Sequence, residues 1–249
     1  MKTNSIFTAF LALFLSATLF AQDITTTDRY TAHNKGKFTF SWGGNREKFS
    51  KSDVTFKGDN YNFTIDDMVA HDKPKGWHID YITPGRMTIP QTNFKLGYFI
   101  TDHYSVSIGV DHMKYVMTQD QFANVSGEIN YPLTNSSSQF NGIYDGTSKQ
   151  MTEDFLKFEH TDGLNYIYTE FARQDDISHV FGIQNTDKFQ VNINEGAGIG
   201  LLYPKTNTTL MGQARHDAFH VSGYGTSLKA GINLVFFKYF TIEGDLKGG

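Results

Sequence analysis

From Lys37 onward, apolar and polar residues alternate with a period of two in one stretch after another. That is the repeat of a β-strand whose two faces meet different surroundings. In 37–46, Phe38, Phe40 and Trp42 share one face, and Thr39, Ser41 and Asn45 the other. In 92–100, Phe94, Leu96, Tyr98 and Ile100 oppose Asn93, Lys95 and Gly97; in 105–110, Val106, Ile108 and Val110 oppose Ser105, Ser107 and Gly109. The pattern is longest in 190–203, where Val191, Ile193, Ala197, Ile199 and Leu201 oppose Gln190, Asn192, Asn194 and three glycines. In 224–236, Leu228, Ala230, Ile232, Leu234 and Phe236 oppose Ser227, Lys229, Gly231 and Asn233; in 240–246, Phe240, Ile242 and Leu246 oppose Thr241, Glu243 and Asp245. No stretch of the mature chain sustains a helical period.

Two all-β architectures share this pattern. A soluble sandwich turns the apolar face inward, whereas a transmembrane barrel turns it toward lipid and lines its interior with the polar face. Three features favour the barrel. Several strands run to about ten residues, the length a tilted strand needs to cross a bilayer. Aromatics gather near strand ends (Tyr98, Phe99, Tyr104, Tyr115, Tyr166, Tyr168, Tyr203, Phe236, Phe237, Tyr239, Phe240), as an interfacial girdle would. The polar faces carry glycines (Gly97, Gly109, Gly196, Gly198, Gly200, Gly225, Gly231) that leave room in a narrow lumen.

Short links at 101–103 and 237–239 alternate with long polar ones at 72–88, 118–153 and 205–217, the second of which reads as a mobile loop. Outer-membrane barrels have short periplasmic turns and long external loops. Parity then predicts strands at 37–46, 52–57, 60–70, 90–100, 104–117, 154–172, 187–203, 218–236 and 239–249, with Lys57–Asn60 as a periplasmic turn. Bacterial barrels have even strand counts. The expectation is therefore an antiparallel up-and-down barrel of about 8–10 strands; with the chain stopping in mid-strand at Asp245–Gly249, it reads as C-terminally truncated, its last strand incomplete.

Composition narrows the setting. The 249 residues carry 22 Lys+Arg against 26 Asp+Glu, a formal charge of −4, so no basic face invites nucleic acid. There is no cysteine, which excludes disulfides, thiolate metal sites, a Cys nucleophile and a lipidated N-terminal Cys. Lys2 is followed by an uncharged apolar run from Ile6 to Ala21. At about 16 residues it falls short of the roughly 20 of a spanning helix and reads as a secretory signal peptide, 1–21, cleaved before Gln22. Residues 22–36 then form a periplasmic N-terminal segment and 37–249 the barrel domain.

The signal sequence, the short-turn unit Gly97-Tyr-Phe-Ile-Thr-Asp-His-Tyr-Ser-Val-Ser-Ile-Gly109 and the repeated glycine–aromatic strands resemble the outer-membrane β-barrel proteins of Gram-negative bacteria. The resemblance is one of pattern over most of the mature chain. It implies residence in the cell outer membrane, contact with outer-membrane lipid and lipopolysaccharide, and insertion by the barrel-assembly machinery. That group includes structural barrels, adhesins, small pores and lipid A-modifying hydrolases. The expected role is structural or surface-binding through external loops, with a deacylase-like hydrolase or a small pore as alternatives.

Candidate chemistry is sparse. Glu159-His-Thr-Asp-Gly-Leu-Asn165 resembles the His-x-Ser-Asn pattern of lipid A deacylases, in which a His activates a Ser. His160 has the required type, but Asp162 stands at the nucleophile position, so Glu159, His160 and Asp162 are retained only as candidates. In Val110-Asp-His-Met-Lys-Tyr115, His112 and Lys114 fall near the outer rim, where Lys114 would meet lipopolysaccharide phosphates. Glu195 breaks the alternation: either a bulge turns it inward or it lies outside the hydrocarbon. If inward, it joins a lumenal polar network with Lys95, Asp111, Lys229, Glu243 and Asp245 that rigidifies or plugs the interior. No His or carboxylate spacing matches a metal motif, and no cofactor is expected.

Overall fold

The structure is a computed structural model and describes residues 33–76, 78–81, 83, 86, 91–215 and 218–249. The expected signal peptide and most of the 22–36 segment lie outside the described residues. Among these residues thirteen strands follow one another: β1 (Phe38–Gly44), β2 (Ser52–Gly58), β3 (Tyr61–Met68), β4 (Ala70–His71), β5 (Thr92–Phe99), β6 (Tyr104–Met117), β7 (Phe122–Ile129), β8 (Gly142–Gln150), β9 (Leu156–Asp176), β10 (Phe189–Pro204), β11 (Asn207–Leu210), β12 (Gly223–Phe236) and β13 (Phe240–Gly248). Three short 3-10 turns, Ile79–Tyr81, Ser136–Phe140 and Ser178–Phe181, are the only helical pieces among the described residues.

The chain is all-β and antiparallel. Seven strands, in the order β1-β5-β6-β9-β10-β12-β13, make one sheet that curls into a half-barrel, with β4 and β11 added beside β6 and β9. Each neighbouring pair is antiparallel, and the β10–β12 register runs unbroken from Phe189↔Phe236 to Leu202↔Gly223. One end of this sheet carries the tight links after β5 and β12. The turn after β12 places Phe237 and Lys238 at φ 53 and φ 71, the positive pair a tight hairpin demands.

At the opposite end the long connections fold into a second sheet, β2-β3-β7-β8. Its apolar side (Phe63, Ile65, Met68, Val125, Ile129) packs with Phe140, Met151 and Phe155 against Tyr115 and Met117 of β6, Leu156 of β9, and Leu210 and Met211. The Phe155 ring sits 5.8 Å from Phe63 and 5.4 Å from Phe140. Each such fully buried side chain contributes about 1.5–3 kcal/mol. This end of the molecule, the head, therefore has an ordinary hydrophobic core.

Three expectations change here. The strands expected at 52–57 and 60–70 are not strands of the curled sheet, apart from Ala70, which opens the short β4 beside β6, and Lys57–Asn60 is not a link at its tight-turn end: 52–58 and 61–68 form the β2–β3 hairpin of the head, where Gly58 faces Tyr61. The 118–153 connection is a folded hairpin with a 3-10 turn capped by the Asn135 side chain on the Ser137 amide, because Phe140, Met151 and Phe155 have a core to enter. Four of the aromatics assigned to a girdle, Phe99, Tyr115, Tyr166 and Tyr168, are buried.

Candidate functional site: the polar interior of the half-barrel

The curled sheet buries its charges and exposes its hydrocarbon. On the convex face Phe38 is 83% exposed, Phe40 66%, Ile108 58%, Ile199 65% and Leu246 78%, while on the concave face Asn192 is 0%, Glu170 2% and Lys229 4% exposed. A water-soluble sheet does the reverse, since charged side chains are almost never fully buried unless paired.

On the concave face they are paired. Lys229 of β12 reaches Glu170 of β9 at 2.9 Å and, on β13, Glu243 at 3.3 Å and Asp245 at 3.5 Å. Lys95 of β5 crosses to the same Glu243 at 2.6 Å, and the Ser41 hydroxyl of β1 donates to it at 3.5 Å. One layer nearer the head, Lys247 of β13 meets Asp111 of β6 at 2.8 Å, and its ammonium lies 3.4 Å from the centre of the Tyr168 ring. The Tyr168 hydroxyl donates to Asp111 at 3.4 Å. Asn194 donates to Asn233 at 2.8 Å and Asp245 at 3.0 Å, and Asn233 donates to Gln174 at 2.9 Å. The inner glycines make room for this. A Cβ on Gly109 would lie 2.5 Å from the Tyr168 ring, and one on Gly200 2.8 Å from that of Tyr166.

The structure thus brings together Lys95, Asp111, Lys229, Glu243 and Asp245. Glu195 is not with them. It sits without a bulge between Arg173 and Ala230, on the convex face, half-buried, at the level of Tyr104 beside the tight link. Arg173, directly opposite, stands 5.8 Å from the Tyr104 ring and is also bonded to Asp175 at 2.7 Å. The carboxylate stays on the apolar face because a cation faces it across the strands. Tyr166, Tyr168, Glu170 and Lys247 also line the interior, beyond the residues the sequence singles out. Their signal in the sequence is parity: 166, 168 and 170 alternate with Ile167 and Phe171, and Lys247 lies two and four residues beyond Asp245 and Glu243.

At the head end of the interior, Asp72 accepts from Gln91 at 2.7 Å and from the Glu47 amide at 3.0 Å. Glu47 itself is pushed up to about 6 by burial and then by the neighbouring carboxylates of Asp111 and Asp72, with Lys247 opposing them. His112 pairs with Asn165 at 2.8 Å.

The deacylase-like residues are scattered. Glu159 is buried and accepts from Asn207 at 2.8 Å. His160 packs its ring on Phe158 and Tyr115, its Nδ1 meets no protein partner, and burial pushes it down to about 4. Asp162 faces Lys205 at 3.4 Å and Arg215 at 3.6 Å. Among the described residues no hydrogen bond or ion pair joins the side chains of these three, and no hydroxyl meets His160 Nδ1. Among the described residues no cluster of His, Asp or Glu has the arrangement of a metal site.

Comparison with protein-family models, curated proteins and solved structures finds no significant match to this chain.

Proposed function

We propose that this chain is an integral outer-membrane β-barrel protein whose role is structural or surface-binding, with the head as its exposed, ligand-facing part. One observation supports the reading: a sheet that leaves a band of Phe, Ile and Leu bare while burying Lys229, Glu170 and Asn192 is the arrangement expected where the bare side meets hydrocarbon. Exposed patches of that extent are otherwise rare on monomeric soluble proteins. Aromatics at the tight-turn end (Tyr98, Tyr104, Phe237, Tyr239, Phe240) supply an interfacial belt, and that end faces the periplasm in this reading. The N-terminal apolar run supports export, and outer-membrane lipid, lipopolysaccharide and the assembly machinery are the partners that go with such a location.

The crossed ion pairs favour a filled, rigid interior over a conducting one. Among the described residues no hydroxyl or carboxylate is bonded to His160 Nδ1, so no observation favours lipid A hydrolysis. Alkaline carbonate extraction of membranes from cells expressing the full chain tests the location: retention in the pellet is expected, and release into the supernatant would refute it.

A further inference from the structure

We infer that the convex face of the half-barrel carries, at Glu195 and Arg173, a headgroup site for a phospholipid with a primary ammonium. The inference rests on the membrane reading and adds to it one lipid chemistry and one place. Three observations lead there.

The first is position. Glu195 of β10 stands opposite Arg173 of β9, and Arg173 stands opposite Tyr104, the residue that opens β6 after the tight link. Toward the head the same face continues with the exposed side chains of Ala197, Ile199 and Phe171. Charges on a lipid-facing strand cost least where hydrocarbon gives way to headgroups. The pair therefore marks the headgroup level at the tight-turn end, with acyl chains lying along Ile199 and Phe171. The Phe171 and Tyr104 rings, stacked at 5.4 Å, wall the corner on the β6 side.

The second is charge. One guanidinium answers two carboxylates here. Asp175 takes the Arg173 Nε at 2.7 Å and its Nη2 at 3.2 Å. The charges acting on Glu195 are Arg173, which attracts it, and Asp175, which repels it, and among the described residues no ion pair or hydrogen bond ends on its carboxylate. A protonated His103 serves Asp175, which it meets at 3.1 Å, and not Glu195. The corner is thus left with a half-buried carboxylate on an apolar face, short of a cation of its own.

The third is the pairing of donors and acceptors. The Glu195 oxygens only accept, while Arg173 keeps its Nη1 hydrogens beyond those Asp175 uses. An ethanolamine phospholipid supplies the complement of both: its ammonium donates to Glu195 and its phosphate accepts from Arg173. A choline headgroup carries the same charges but no N–H to donate. A glycerol headgroup has no cation to offer and brings its negative phosphate to a corner that already holds two carboxylates. The site therefore selects the primary ammonium.

The test compares two lipids that differ only at the nitrogen. Full-length protein in detergent micelles is titrated with a phosphatidylethanolamine and with the phosphatidylcholine of the same acyl chains, and bound lipid is counted by native mass spectrometry. One equivalent of the first is expected to stay bound at concentrations about tenfold below those the second needs, the effect of one hydrogen bond to a charged group. Glu195→Gln should bind the two lipids alike, whereas Glu128→Gln, at an exposed position of the head, should keep the preference. Equal retention of both lipids by the parent protein overturns the proposal without recourse to a variant. A preference that survives Glu195→Gln overturns it too. So does a concentration-dependent dimer that requires Glu195 and excludes the lipid, which would give this corner to a second copy. Retention of the chain in carbonate-washed membranes together with equal lipid binding removes the site and leaves the membrane reading standing, whereas release by carbonate removes that reading itself.

Discussion

Lys229 shows at one residue what the concave face requires. Its ammonium has three carboxylates within 3.5 Å and almost no solvent. Removing one partner of a buried ionic group costs about 3–5 kcal/mol, because the remaining charges lose their compensation. Lys229→Met should therefore lower stability by roughly that amount, read from urea unfolding in micelles; an unchanged midpoint would mean the carboxylates are hydrated rather than clustered on Lys229. Gly109 makes the same point sterically. With the Tyr168 ring where a Cβ would go, Gly109→Val should cost about 1–3 kcal/mol through overpacking, while Gly43→Val, at a position open to space, should not. Glu47 adds a pH dependence. The folded protein holds this proton up to about pH 6 and the unfolded chain only to about 4.5, so the native state binds more protons between those values and stability falls as pH rises through them. Glu47→Gln should match the parent in melting temperature at pH 4.5 and exceed it at pH 8; an equal offset at both would place the carboxyl outside the Asp111 and Asp72 field.

Among the elements, those that alternate strictly were legible in the sequence. The faces of β5, β10, β12 and β13 follow directly from the order of Lys95 among Leu96 and Phe94, or of Asn192 and Asn194 among Val191 and Ile193. What local pattern does not contain is the sheet a strand belongs to. Lys57-Gly-Asp-Asn60 is a hairpin turn wherever it lies, and only the burial of Phe63 and Ile65 against Val125 and Phe155 places it in the head. Glu195 was undecidable for the same reason: its partner Arg173 comes from another strand, 22 residues away, and appears only once the register is known. For Tyr166 and Tyr168 the sequence alone does not choose, because a tyrosine near a strand end suits a belt as well as an interior lined with glycines. The β12–β13 turn offers its own check. Phe237 adopts a left-handed backbone that costs a non-glycine residue about 1–2 kcal/mol, and asparagine tolerates it better. Phe237→Asn should raise the thermal midpoint of micelle-refolded protein; a drop would show that the exposed ring itself is held at an interface.

At the scale of the whole molecule the two ends obey opposite rules. The head hides Phe63, Phe155 and Met151 from water, as any soluble domain does, while the half-barrel shows Phe38, Ile108 and Ile199 to its surroundings and keeps Glu170 and Lys229 inside. β6 and β9 run through both halves, so the head is mounted rigidly on the curled sheet. The proposed surface-binding role suits that arrangement, in which a packed module is carried on a sheet whose bare face would meet lipid.

The claim on which this rests is that the convex face meets lipid, and β10 offers a direct reading of it. Single cysteines at 192, 193, 194, 197, 198 and 199, each carrying an environment-sensitive fluorophore, are reconstituted into vesicles containing nitroxide-labelled lipid. Strong quenching and blue-shifted emission at 193, 197 and 199, with neither at 192, 194 and 198, is the predicted alternation. Uniform quenching by aqueous iodide at the first three positions, with no effect of the labelled lipid, would contradict it.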